Sequence, residues 1–131
     1  MTKVPTRRKN TSYSLGIDGK TLHLSVGQNP QGEVIEIATR YEKSGSTTRA
    51  LLNAVSLLSA LLLQQGYPAA KLCSKMVFTK FEPAGGVTGH PRIKMCTSLL
   101  DLIFRVVAVD FLSQDELAQV KNTTPEQSPA G

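Results

Sequence analysis

Tryptophan is absent, aromatic residues make up 5% of the chain, and cysteine and histidine occur twice each. Cys73 and Cys96 lack the C-x-x-C spacing of a redox pair. Together with His23 and His90 they form no recognisable metal-ligand pattern, so no metal and no cofactor are implied. Glu82 stands beside a glycine-rich loop, but no nucleophile or second carboxylate accompanies it, which argues against catalysis. No secretory apolar core follows Met1, so the expected setting is the cytoplasm, where both thiols stay reduced and pack as apolar residues. The leucine-rich run Ala50 to Leu63 is interrupted by Asn53, Ser56 and Ser59 and is too short to span a bilayer. No membrane role is expected.

A length of 131 residues with 40% apolar composition fits one domain with one core. The net charge of +5 and pI near 9.4 favour anionic partners. Much of that charge sits in Lys3, Arg7, Arg8 and Lys9, read as a flexible basic arm over residues 1–10. No aromatics interleave with it, so nucleic acid is an unlikely partner. Residues 122–131 hold two prolines and no bulky apolar residue, and are expected to be disordered.

Between these ends the pattern is α+β. Tyr13, Leu15 and Ile17 alternate with polar residues, Asp18-Gly19 suits a two-residue hairpin, and Leu22, Leu24 and Val26 resume the alternation. Asn29-Pro30-Gln31-Gly32 makes a second turn before a strand from Val34 to Tyr41. This three-stranded antiparallel meander needs a cover, supplied by a long helix from Ser46 to Gln65 that stops at Gly66. A second helix is predicted from Pro68, a third over Ile93 to Leu112 and a short fourth over Gln114 to Val120. The wide apolar surfaces of the first and third predict a homo-oligomer.

Two segments suggest anion binding. In Lys43-Ser44-Gly45-Ser46-Thr47-Thr48-Arg49, hydroxyls and the cations Lys43 and Arg49 gather at a helix start, with Ser46 or Thr47 as its cap. No G-K-[ST] follows, so it is not a P-loop. In Phe78-Thr79-Lys80-Phe81-Glu82-Pro83-Ala84-Gly85-Gly86-Val87-Thr88-Gly89-His90-Pro91-Arg92-Ile93-Lys94-Met95, an open loop would let backbone N–H groups such as that of Gly86 approach a ligand. Phe81 is placed to stack on a base, Thr88 and His90 to hydrogen-bond it, and Arg92, Lys94 and Arg105 to pair with phosphates. The competing structural reading makes Phe81 core, His90 an exposed turn residue, and Arg105 the partner of Asp101 one turn earlier.

That loop, with Leu99-Leu100-Asp101-Leu102-Ile103-Phe104-Arg105 behind it, closely resembles the C-terminal region of large vitamin B12-dependent (class II) ribonucleotide reductases. The likeness extends upstream through Gly32-Glu33-Val34-Ile35-Glu36-Ile37, Lys43-Ser44-Gly45-Ser46-Thr47 and Gly66-Tyr67-Pro68, covering roughly Thr11 to Leu112. It implies an accessory domain without the reductase's catalytic barrel, radical cysteine and cobalamin site. Those reductases commonly carry asparagine at the position of His90.

The order of sheet then long helix, and the F-E-P loop with a downstream arginine, also resemble the phage Thoeris anti-defence sponges. That resemblance implies assembly as a dimer or hexamer and non-catalytic sequestration of a cyclic nucleotide ligand, such as glycocyclic ADP-ribose or a cyclic di- or trinucleotide, at Phe81, His90 and Arg105. The leading functional expectation is therefore a sponge. The alternative is a detached accessory or regulatory domain of a split class II reductase.

Overall fold

The structure is a computed structural model that describes residues 9–120. The expected basic arm and C-terminal tail lie outside these residues, apart from Lys9 and Asn10. These two already belong to strand β1, Lys9–Ile17. β1 pairs antiparallel along its whole length with β2, Lys20–Gln28, through Asp18 and Gly19, both at positive φ as a tight hairpin requires. β2 pairs antiparallel with β3, Val34–Tyr41. Asn29 shapes the intervening turn, its Oδ1 accepting the N–H groups of Gln31 and Glu33. A register shift beside Gly27 and Gln28 lets Val34 and Ile35, adjacent in sequence, both be buried.

The meander is part of a larger sheet. Gly85–Thr88 forms a strand, β4, on the free edge of β1, and Met95–Cys96 forms β5 against β4. The order is β3-β2-β1-β4-β5. The glycine-rich middle of the expected ligand loop, Gly85 to Thr88, is thus strand, because an unpaired β1 edge offers its backbone groups a closer partner than any ligand. Gly89, at φ +95, closes the turn after β4, where a Cβ would run into the carbonyl of Ser14.

Leu15, Ile17, Leu22, Leu24, Val26 and Ile37 line one sheet face and are at most 3% exposed. They join one core with helix α3, Leu99–Phe111, in which ten residues are buried. This corrects two expectations. The third helix begins at Leu99 rather than Ile93, since Ile93 to Ser98 is spent on β5 and the approach to a cap. Ten of its thirteen residues are buried within the monomer, so the wide apolar surface expected of it is mostly enclosed. The expected fourth helix is a single 3₁₀ turn, Asp115–Leu117.

Helix α1, Ser46–Gln64, packs along β3, and α2, Ala69–Met76, follows a break at Pro68. The cap of α1 is Gly45, and no side chain bonds its N-terminal N–H groups, which corrects the assignment of that role to Ser46 or Thr47. Its C-terminus ends as the glycine predicts: Gly66 at φ +91 donates to Leu63, and Tyr67 donates to Leu62. At 19 residues α1 is long and apolar enough to cross a membrane by length and composition alone. Against that stand Asn53, Ser56 and Ser59, and the packing of Leu52, Ser59 and Leu63 into the domain.

Candidate functional site

The richest polar cluster lies at the start of α3. Ser98 caps the helix, its Oγ accepting the Asp101 N–H at 2.9 Å. Asp101 is fully buried. Its Oδ1 accepts the Phe78 N–H at 2.7 Å and Arg105 Nη2 at 2.8 Å, and its Oδ2 accepts the Thr97 N–H at 2.9 Å. A buried carboxylate is tolerated only when its charge and lone pairs are met in this way. The S-x-x-D spacing of Ser98 and Asp101 is the sequence signal for such a cap, and it outranks the Arg105 position that the loop reading singled out.

Arg105 is 5% exposed. Besides Asp101 it donates through Nη1 to the Leu117 carbonyl, and the Phe78 ring covers its guanidinium at 4.7 Å. Its Nε is buried without a hydrogen-bond partner. Phe78, at φ +66, is held in that strained conformation by its bonds to Asp101 and Arg105. Phe81 is 45% exposed, and only its backbone is fixed, donating to Thr97. Thr79 and Thr97 complete the knot: Thr97 Oγ1 donates to the Thr79 carbonyl, and the Thr79 and Ser98 hydroxyls are 2.7 Å apart.

His90 belongs to a second node and is 3% exposed, not the exposed turn residue of the competing reading. Its Nδ1 accepts the N–H groups of Arg92 and Ile93, which leaves Nε2 to donate to Asp110 at 2.9 Å. Tyr13 donates to the same carboxylate oxygen and stacks on the histidine ring. Burial pushes the Asp110 carboxyl upward, but the bonds from His90 and Tyr13 and the charge of Arg92 outweigh it, and the net shift is down. Burial and the Asp110 bond push the Tyr13 hydroxyl up.

The remaining cations of this region also face the protein. Arg92 Nη2 pairs with Asp115 at 2.9 Å, and its Nε donates to Val120. Lys94 Nζ donates to the His90 carbonyl at 3.0 Å. Gln119 ties this segment to β5, accepting from Lys94 N–H and Met95 N–H and donating to the Met95 carbonyl. Gly86 and Thr88 are exposed on β4, opposite Met95 and Gly16. The side chains of Phe81, His90 and Arg105 thus have different surroundings. Two are bound inside separate polar nodes, and the third lies on the surface.

Lys43, Ser46, Thr47 and Arg49 are exposed at the N-terminal end of α1, remote in sequence and element from the α3 nodes. A groove of about 700 Å³ lies elsewhere, between the β2–β3 turn, the C-terminal end of α1 and the end of α3. Asn29, Glu33, Gln64, Tyr67 and Leu112 are among its lining residues, and none of the candidate binding residues is. Both thiols are buried. Burial pushes Cys73 up to about 12 and Cys96 upward as well, so neither is poised as a nucleophile. No group of three or more His, Cys, Asp or Glu that could hold a metal occurs among the described residues.

The TSCPD domain family matches residues 2–111. Among curated proteins, the chain is 37% identical over 118 residues to a vitamin B12-dependent ribonucleotide reductase of Agrobacterium fabrum, covering 90% of this chain and 9% of the relative. A second, from Bradyrhizobium diazoefficiens, is 36% identical over 121 residues, covering 92% and 10%. A third, from Streptantibioticus cattleyicolor, is 32% identical over 110 residues, covering 84% and 18%. The chain thus spans about a tenth of the first two relatives it matches. No solved structure gives a significant match.

Proposed function

Because the chain belongs to the TSCPD domain family, we propose that it is an accessory domain that works by packing on a larger catalytic unit of the vitamin B12-dependent ribonucleotide reductase type. One observation carries this reading: similarity runs through 90% of this chain while engaging 9% of the reductase. The side chains support it. His90, Arg92, Lys94 and Arg105, four of the polar candidates for a ligand pocket, are engaged by groups of the protein itself. The two buried cysteines, with raised pKa values, are ill suited to radical or thiol-relay chemistry. The domain's contribution would then be a surface, working in the compartment where the reductase works, the cytoplasm.

The test is reconstitution. The C-terminal region is removed from the Agrobacterium fabrum reductase, and the full chain described here is added in trans. Binding by the truncated enzyme, with a change in nucleotide reduction or in its allosteric response, is the expected result. Absence of binding overturns the proposal. The cyclic-nucleotide sponge is the finer alternative. It needs His90 and Arg105 to turn from Asp110 and Asp101 toward a ligand, and it predicts tight calorimetric binding of glycocyclic ADP-ribose or a cyclic trinucleotide. Such binding, lost in Phe81→Ala, would displace the docking reading.

A further inference from the structure

Helix α1 uses little of its apolar surface inside the monomer. Leu52, Ser59 and Leu63 form one narrow buried stripe. Leu51 and Leu57 are each 62% exposed, Leu58 59%, Leu62 41% and Leu61 39%. Leu51, exposed Ala54, Leu58 and Leu61 recur at the alternating three- and four-residue steps of a helix-pairing seam, with Leu57 and Leu62 on its flanks. A continuous apolar patch of this kind on a small domain marks an interaction surface.

The charges around α1 specify the partner. No charged residue occurs between Arg49 and Lys71, so the seam loses no ionic hydration when covered. Charge is instead segregated to the two ends. α1 runs antiparallel to β3, with Gln64 Nε2 donating to the Ile35 carbonyl. Lys43 and Arg49 therefore sit by its N-terminal end, where the one nearby acid, Glu42, is taken up by His23, and Glu33 lies by its C-terminal end, lining the same groove as Gln64. No acid occupies the first turn and no base the last, so within one copy the end charges oppose the helix dipole. A second α1 laid antiparallel reverses this. The cations of each copy meet the C-terminal carbonyls and Glu33 of the other, and small Ala54 faces a large leucine. Parallel pairing would stack like ends. The surface is complementary to itself, the requirement for an isologous two-fold contact.

We propose that this protein forms a two-fold symmetric dimer by antiparallel pairing of α1 with α1 of a second copy, independently of whether it docks onto a reductase. The full chain is tested by sedimentation equilibrium, with circular dichroism to check folding. The expected result is a dimer, and Leu58→Arg, an exposed position, raises its dissociation constant about a hundredfold or more. Arg49→Glu weakens the dimer, and adding Glu33→Arg to the same chain restores it. Leu51→Cys and Leu61→Cys fix the direction, with the buried native thiols staying silent. Antiparallel pairing crosslinks a mixture of the two variants and neither variant alone.

A chain that stays monomeric to about 1 mM overturns the proposal. So does a dimer indifferent to Leu58→Arg, or one in which each cysteine variant crosslinks with itself. Burial of the α1 leucines only when a reductase chain or phospholipid vesicles are added also overturns it, and assigns the face to that partner. A monomeric Leu58→Arg variant that still binds the truncated reductase would separate this interface from the docking reading.

Discussion

Asp101 carries three hydrogen bonds on two oxygens while fully buried, and each donor serves a different segment: Phe78 before β4, Thr97 at the cap, and Arg105 within α3. Removing it strands the Arg105 charge and two backbone N–H groups at once. Asp101→Ala is expected to lower unfolding free energy by about 3–5 kcal/mol in urea titration, whereas replacing the pair together, Asp101→Asn with Arg105→Met, costs much less. Asp110 makes a pH prediction. Its carboxyl lies below the ordinary 3.8 in the folded protein despite the opposing effect of burial. Its stabilising contribution is therefore present above the unfolded-state pKa and is lost as pH falls through the lower folded value. Urea midpoints should drop below about pH 4, and Asp110→Asn should flatten that drop at the expense of the plateau.

Among elements, β4 shows how little sequence separates a loop from a strand. Gly85, Gly86, Val87 and Thr88 carry one apolar side chain among them, and their strand character comes from the β1 edge and from β5. Gly89 makes the close approach possible. Gly89→Ala is expected to destabilise by about 1–3 kcal/mol through its positive φ, and more if Ser14 cannot shift. Hydrogen exchange should show β4 and β5 losing protection before β2 and β3 do. Helix α3 is the opposite case: its residues are so uniformly apolar that periodicity alone leaves its start undefined, and the Ser98–Asp101 cap places it.

For the molecule as a whole, the two long helices have different fates. Phe104 in α3 is fully buried, and Phe104→Ala should cost about 3–5 kcal/mol, read from the urea midpoint at constant m. The exposed leucines of α1 should contribute through association instead. The melting temperature of the unmodified chain is then expected to rise with protein concentration, and that of Leu58→Arg to stay level in differential scanning calorimetry.

Local chemistry was readable in one dimension. The Asp18-Gly19 hairpin, the Asn29 turn, the alternating faces of three strands and the Gly66 stop all depend on residues a few positions apart, and the structure keeps each of them. The resemblance to the reductase region was likewise carried by contiguous motifs. Other features depended on distant partners. The glycine-rich middle of the loop became strand because β1 had a free edge. His90 and Arg105, ligand candidates by residue type, were drawn inward by Asp110 and Asp101, since a buried polar group binds whatever partner folding brings within 3 Å. Amphipathic width marked α1 and α3 alike as candidate interfaces. Tertiary packing alone separated them, burying ten residues of α3 and three of α1, because enclosure depends on which elements the chain brings against each helix and not on the helix's own pattern.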